Sequence, residues 1–156
     1  METLIVYDSK FGNSKKIADS IGDGLKPYSK VRLVGLDTIF PENLGTIDLL
    51  IVGGPTQGHG ISPRMRQFTD GLQAGSGTAI ATFDTRFRLP VFISGSAARS
   101  IAGRLQRVGI QVFVRPESFF VTRGGTPVLE LGEAERAAAW GKQLANHLLV
   151  SRMCAA

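Results

Sequence analysis

Three short stretches carry residue types suited to holding an anion and a flat ring. The first is Ser9-Lys10-Phe11-Gly12-Asn13-Ser14, which follows the apolar run TLIVY and precedes a helical pattern. Backbone N–H groups and the positive end of the helix dipole collect at such a junction and favour an anion. Ser9 and Ser14 add hydroxyl donors, Asn13 donates through its amide or caps the helix, Gly12 permits a tight path, and Lys10 is the nearest cation. The stretch has neither the Gly-Lys-Ser/Thr of a Walker loop nor a G-x-G-x-x-G dinucleotide fingerprint. It therefore suits a small phosphate better than a pyrophosphate. The plain alternative is a strand-to-helix turn with a polar cap.

The second stretch is GGPTQGHGISP, residues 53–63. Pro55 and Pro63 brace its ends, and Gly58 and Gly60 let backbone approach a flat ring closely. Thr56, Gln57 and His59 supply polar contacts. Simple turn chemistry also accounts for the glycines, and a lone loop histidine is ordinarily just exposed. The third stretch, Phe83-Asp84-Thr85-Arg86-Phe87, mixes aromatic and charged groups. Phe87 is placed to cover a ring. Arg86 faces an anionic edge or pairs with Asp84. Phe83 ends a buried strand and reads first as core.

These stretches need strands and helices to bring them together. TLIVY (3–7) reads as a buried strand, KVRLVGL (30–36) as a second, and IDLLIVGG (47–54) as a central parallel strand covered on both faces. GTAIATF (77–83) is a fourth strand, and QVFV (111–114) starts a fifth. Between them, Ile17, Ile21 and Leu25 recur at helical spacing, and a helix is expected over 63–72 with Pro63 in its first turn. Residues 96–109 form an amphipathic helix with Ile101, Leu105 and Val108 on one side and Arg99, Arg104 and Arg107 on the other. Residues 118–131 read as two extended pieces around Arg-Gly-Gly-Thr-Pro, a packed hairpin at a sheet edge or a partner-binding element. A last helix over 133–150 turns Ala137, Trp140, Leu144 and Leu148 inward. Strands alternating with helices predict one three-layer α/β domain over 1–156 with a five-stranded, doubly wound parallel sheet. Ligands in such folds sit beyond the carboxyl ends of the strands, where the three stretches lie.

Composition limits the function classes. With 43% apolar and 20% charged residues, the 156-residue chain has ordinary globular usage. It contains no run near the ~20 apolar residues of a membrane span, so membrane insertion is not expected. The start METLIVYDSK lacks the pattern of a signal peptide, and the single cysteine, Cys154, has no partner for an internal disulfide. A cytoplasmic setting is expected. His59 has no nearby metal-ligand neighbour, so no metal is expected. Net charge is +5, and Thr85–Pro116 holds six arginines without an acid. That bias attracts an anionic partner or is a solvated basic face.

The residues 9–14 and 53–60 together resemble the flavodoxins. The phosphate loop of that family runs Ser/Thr-x-Phe/Thr/Tyr-Gly-Asn/Ser-Ser/Thr, here SKFGNS, and GGPTQGHG is similar to the loop flanking the isoalloxazine after strand three. FDTRF stands where the second flanking loop begins. The resemblance spans essentially the whole chain. It implies the strand order 2-1-3-4-5, for which flavodoxin is itself the standard example, with FMN at the switch point between strands one and three. It further implies that Ser9, Lys10, Phe11, Gly12, Asn13 and Ser14 hold the FMN phosphate. Pro55, Thr56, Gln57, Gly58, His59 and Gly60 would line the ring, joined by Phe83, Asp84, Thr85, Arg86 and Phe87. A backbone carbonyl near Gly58 would turn toward the flavin N5 on half reduction. Two features depart from many flavodoxins: the chain is basic, and neither Trp140 nor Tyr7 nor Tyr28 lies in a flanking loop. Phe87 and His59 take the stacking role instead.

The expected function is an FMN-binding electron carrier, without a catalytic acid, base or nucleophile of its own. The alternative is an FMN-dependent oxidoreductase acting on a quinone or similar substrate. A flavin-free receiver-type module would need clustered acids after strand one, where Asp8 stands alone. Arg86, Arg88, Arg99, Arg104 and Arg107 are expected to form a docking surface for an acidic redox partner. Nucleic acid is not expected, because no aromatics interleave the arginines.

Overall fold

The computed structural model describes residues 1–156 except Asn43, Ala74 and Ser76. Strands β1 (Glu2–Tyr7), β2 (Lys30–Gly35), β3 (Leu49–Pro55), β4 (Ala79–Phe87) and β5 (Glu117–Val121) form one parallel sheet in the order β2-β1-β3-β4-β5. Helices α1 (Asn13–Leu25), α2 (Pro63–Asp70), α3 (Val91–Ser94), α4 (Ala97–Arg107) and α5 (Glu133–Ala155) connect and cover it. The expected 2-1-3-4-5 order is the one observed.

Alternation along the central strands explains the three layers, because successive side chains point to opposite faces. Ile5, Leu49, Ile51, Ala81 and Phe83 pack beneath α1 and α5, together with Ile17, Ile21, Trp140 and Leu144. Leu4, Val6, Leu50, Val52 and Ile80 pack on the other face with Met65, Phe68, Ile101 and Leu105 of α2 and α4. Both faces are apolar, which is why β1 and β3 read as unbroken hydrophobic runs.

On the first face, α1 and α5 approach at glycines. A Cβ on Gly24 would fall well inside van der Waals contact distance of the Ala138 carbonyl oxygen, and one on Gly141 inside that of the Ile21 carbonyl oxygen. The Gly53 position is closed in the same way by the Phe83 ring.

Two elements differ from the sequence expectation. QVFV is not the fifth strand; it is irregular and makes one backbone bond to the sheet, Phe113 N–H to Ile80 O at 2.9 Å. Pro116 has no N–H to continue a ladder, and the strand begins after it, with Phe83↔Glu117 through Phe87↔Val121 in register. The FDTRF segment is accordingly the last half of β4 rather than a loop. The two extended pieces expected in 118–131 do form. SFFV is in β5, and the chain returns antiparallel along its outer edge through Thr122 N–H to Val128 O (2.8 Å) and Glu130 N–H to Phe120 O (2.9 Å). Glu133 closes the remaining edge donor by accepting from Phe120 N–H at 2.7 Å, and Arg136 pairs with its carboxylate at 2.7 Å. Burial works to raise the Glu133 carboxyl, but Arg136 and the Phe120 N–H outweigh it and hold it below the ordinary range. The edge is thus covered, as an edge strand requires.

Candidate functional site

A cavity of about 440 Å³ opens at the carboxyl ends of β1, β3 and β4. Its first wall is the 9–14 loop. Gly12 adopts φ +86° and turns the chain into α1, where Asn13 is the first helical residue. Asn13 and Ser14 are buried, and both are tied across the site: Asn13 Nδ2 donates to Pro127 O (2.8 Å), and Ser14 Oγ shares a hydrogen bond with Thr85 Oγ1 (2.8 Å). No side chain caps α1, and its first turn holds no acid. Among the described residues, no backbone N–H from Ser9 to Lys15 finds an acceptor, and Ser9 Oγ is buried without a partner. A buried hydroxyl ordinarily has a partner, and the first N–H groups of a helix need one from outside it. An anion at the α1 N-terminus would supply what is missing.

The second wall is a tight hairpin. Gln57 and Gly60 exchange both backbone hydrogen bonds at 2.9 Å, leaving Gly58 (φ +51°) and His59 (φ +67°) as the two turn residues. Positive φ at both positions is the type I′ pattern, which a glycine accepts readily and a histidine only under constraint. The constraint is Gly95 (φ +72°), whose missing Cβ lets it press on the His59 backbone. Thr56 N–H donates to Thr85 O at 2.9 Å, so the hairpin hangs from the end of β4. Behind it, Ser62 caps α2 by accepting from Met65 N–H and donates to Asp8 Oδ2 at 2.6 Å.

The third wall is the end of β4 with α3 and the return after β5. Thr85, Arg86 and Phe87 line the cavity, with Leu89 and Ile93 beyond them and Val121 and Pro127 opposite. Arg86 does not reach outward. Its guanidinium is nearly buried, donating to Ser118 Oγ (3.0 Å) and Leu89 O (2.7 Å), and its Nε lies 3.9 Å from Asp84 Oδ1. Asp84 lies beneath the site, fully buried. Its Oδ2 accepts from Ser96 Oγ (2.5 Å), Ala98 N–H (3.0 Å) and Thr56 Oγ1 (3.4 Å), while Oδ1 has no hydrogen-bond partner. Desolvation raises this carboxyl above its ordinary range, opposed by those donors and by Arg86. Asp84 therefore joins the second loop, the start of α4 and the end of β4 into one support.

Of the residues singled out in sequence, twelve line the cavity: Lys10, Phe11, Asn13, Ser14, Pro55, Thr56, Gln57, Gly58, His59, Thr85, Arg86 and Phe87. Ser9 and Gly12 belong to the loop behind it. Gly60 faces away, into a neighbouring cleft. Phe83 is in the core, edge-on to Phe119, as its position at the end of an apolar run implied. Leu89, from the stretch FDTRFRLP after the expected fourth strand, lines the cavity too, and Ile93, Ser94, Val121 and Pro127 do so without having been foreseen. The short apolar run Val91-Phe92-Ile93 after Pro90 was the one local signal. Val121 and Pro127 arrive only through the hairpin at the sheet edge.

The family model for flavodoxin matches residues 5–143. The chain belongs to the flavodoxin family. A flavodoxin of Aquifex aeolicus strain VF5 is 34% identical over 71 residues, a stretch covering 44% of this chain and 38% of that relative. The chain thus spans well under half the length of this relative. Among solved structures, an archaeal flavodoxin superposes with a TM-score of 0.73 at 18% identity, covering 95% of this chain and 99% of its own. Flavodoxin 2 of Bacillus cereus gives 0.72 at 22%, covering 97% and 99%. The rubredoxin oxygen oxidoreductase of Desulfovibrio gigas gives 0.71 at 16%, covering 96% of this chain and 36% of its own. These structural likenesses establish the fold.

The flavodoxin family binds FMN, and the residues present fit that group. The orphaned Ser9 hydroxyl and the uncapped α1 N-terminus match a phosphate. The cavity beside them is bounded by Phe87 and His59 and backed by Leu89 and Ile93, which suits a flat aromatic ring. Trp140 packs with Phe119 in the core, away from this cavity.

Proposed function

We propose that the chain is an FMN-binding electron-transfer protein working in a reducing, cytoplasmic setting on a single flavodoxin-like domain. The carrying observation is the set of unpartnered donors at Ser9 and the α1 N-terminus, opening onto an apolar cavity at the switch point of the sheet. Bound FMN supplies the one- and two-electron chemistry. Ser9, Gly12, Asn13 and Ser14 hold its phosphate. Phe87, His59 and the Gln57–Gly60 hairpin would hold its ring. Leu89 and Ile93, also lining the cavity, would keep water from the ring. The test is titration of the apoprotein with FMN, riboflavin and FAD. FMN is expected to bind at least a hundredfold more tightly than riboflavin, since the phosphate makes charge-assisted hydrogen bonds of ~1.5–3 kcal/mol each. FAD is expected to bind far more weakly than FMN. Equal affinity for riboflavin and FMN overturns the phosphate assignment.

The partner is proposed to be an acidic redox protein, and the arginines divide by role. Arg86 is held inside the site, and Arg104 is paired with Asp70 at 2.6 Å. Arg88 pairs with Glu130 and lies 4.0 Å above the Phe120 ring. Arg99 and Arg107 are exposed and meet no carboxylate among the described residues. Their charge acts mainly on encounter rate. Reversing Arg99 and Arg107 to glutamate is expected to slow electron transfer with an acidic partner about tenfold at low ionic strength and to flatten its salt dependence. Stopped-flow rates with the parent protein's salt slope would remove the steering role.

A further inference from the structure

A second concavity lies between α2 and α4, on the far side of the Gln57–Gly60 hairpin from the first. Its volume is about 400 Å³, and its walls carry Arg66 from α2 with Arg99, Arg104 and Arg107 from α4. Gly60, Ile61, Ser100 and Gly103 complete its lining. No acidic side chain lines it. Arg104 is already paired, donating to both oxygens of Asp70 at 2.8 and 2.6 Å. That clamp fixes α4 against α2 and leaves Arg66, Arg99 and Arg107 without a carboxylate partner among the described residues.

The spacing on α4 gives the concavity its shape. Arg99, Gly103 and Arg107 are successive members of one i, i+4, i+8 row, so they share a face. Gly103 leaves a notch midway between two guanidinium-bearing turns, and a Cβ there would meet nothing within 4 Å. The two arginine Cα positions stand ~12 Å apart along the helix axis, at 1.5 Å per residue. Both arginines line the cleft beside the notch, and Arg66 lines it from α2. Ser100 Oγ makes no hydrogen bond to a described residue and is a spare donor in the lining.

We propose that this cleft is a binding site for the diphosphate group of a small molecule. Planar guanidinium forks match phosphoryl oxygens in bidentate fashion. Two forks separated along the helix, with a third facing them, match two linked phosphoryl groups better than one. The absence of lining carboxylates leaves mutual repulsion among the three arginines that an anion relieves. The site is separate from the loop at residues 9–14. It stands independently of the FMN assignment, although Gly60 makes the cleft and the flavin cavity share one hairpin.

The test is titration of the FMN-loaded protein with pyrophosphate, orthophosphate and ADP, followed by calorimetry and by backbone amide NMR. Pyrophosphate is expected to saturate at one per chain, at least tenfold more tightly than orthophosphate, with shifts centred on Gly60, Ser100 and Gly103. ADP binding more tightly than pyrophosphate would assign the site to a nucleotide; equal affinity would assign it to the diphosphate alone. Gly103→Leu fills the notch without changing charge and is expected to abolish binding. Arg66→Gln and Arg107→Gln are each expected to weaken it about tenfold, whereas Lys142→Gln on α5, the same charge change, leaves it unaltered. Failure to saturate at millimolar pyrophosphate overturns the proposal. So does retained binding in Gly103→Leu, or an equal loss in Lys142→Gln. Shifts at Gly12–Ser14 instead would show pyrophosphate in the flavin loop, and flavin absorbance reports FMN occupancy separately, so the two readings fail distinguishably.

Discussion

Alanine at both Asn13 and Ser14 is expected to lower FMN affinity at least a hundredfold. Each side chain stands at the uncapped start of α1, where the dipole and the free N–H groups favour a phosphate. A hydrogen bond to a charged acceptor contributes roughly 1.5–3 kcal/mol, so two lost together amount to about 3–6 kcal/mol. The substitutions act a second way. Ser14 Oγ ties the loop to Thr85 on β4, and Asn13 Nδ2 ties it to Pro127 in the return after β5. Losing both ties loosens the walls that meet at the cavity. Quenching of flavin fluorescence during apoprotein titration measures the change. Riboflavin serves as the internal comparison, because it lacks the phosphate and its affinity should fall much less. An unchanged FMN affinity in the double variant would sink the phosphate-loop assignment.

The second large effect concerns stability, and two physical arguments predict opposite signs for it. Helix propensity says that Gly24→Ala and Gly141→Ala should each stabilise by up to ~1 kcal/mol. Packing says the reverse. A Cβ at either position would overlap a backbone carbonyl of the facing helix, Ala138 O or Ile21 O, and backbone cannot rotate away as a side chain can. The helices must separate, which opens the core among Ile17, Ile21, Trp140 and Leu144. Overpacking of this kind typically costs 1–3 kcal/mol and sometimes more. With rigid backbone as the neighbour, a net loss of about 3 kcal/mol for either single variant is expected. Gly103→Ala is the control. It is also a helical glycine, but its Cβ would meet nothing, so propensity alone acts and a gain of ~0.5–1 kcal/mol is expected. Urea denaturation of the three variants checks the signs. Stabilisation in all three would mean that α1 and α5 are not in close contact at these glycines.

The order in which structure became legible follows the range of the interactions. Apolar runs at 3–7 and 49–52, turn glycines and the Ser9–Ser14 pattern depend on residues a few positions apart, so β1, β3, α1 and the anion loop can be placed from the chain alone. The fifth strand was harder, because QVFV and SFFV have similar local preference. Pairing with residues 83–87 and the edge contacts from Leu129, Glu130 and Glu133 select SFFV. Those contacts are tertiary, and β-structure depends on context more than helix does.

The arginines show the same division. Their number, their helical face and the basic bias of residues 85–116 are properties of the sequence by itself. So are the alternation of strands with helices, the phosphate-loop spacing and, through them, membership of the flavodoxin family. Only the tertiary structure assigned Arg86 to the buried Asp84 and Ser118, Arg104 to Asp70, and left Arg66, Arg99 and Arg107 around a notch. It alone brought Ile93, Val121 and Pro127 to the cavity. The physical reason is that a side chain's type and its face on a helix or strand are set locally. Its partner, burial and charge environment are set by whichever distant segment packs against that face, and Ser118 and Asp70 reach Arg86 and Arg104 only after the sheet has formed.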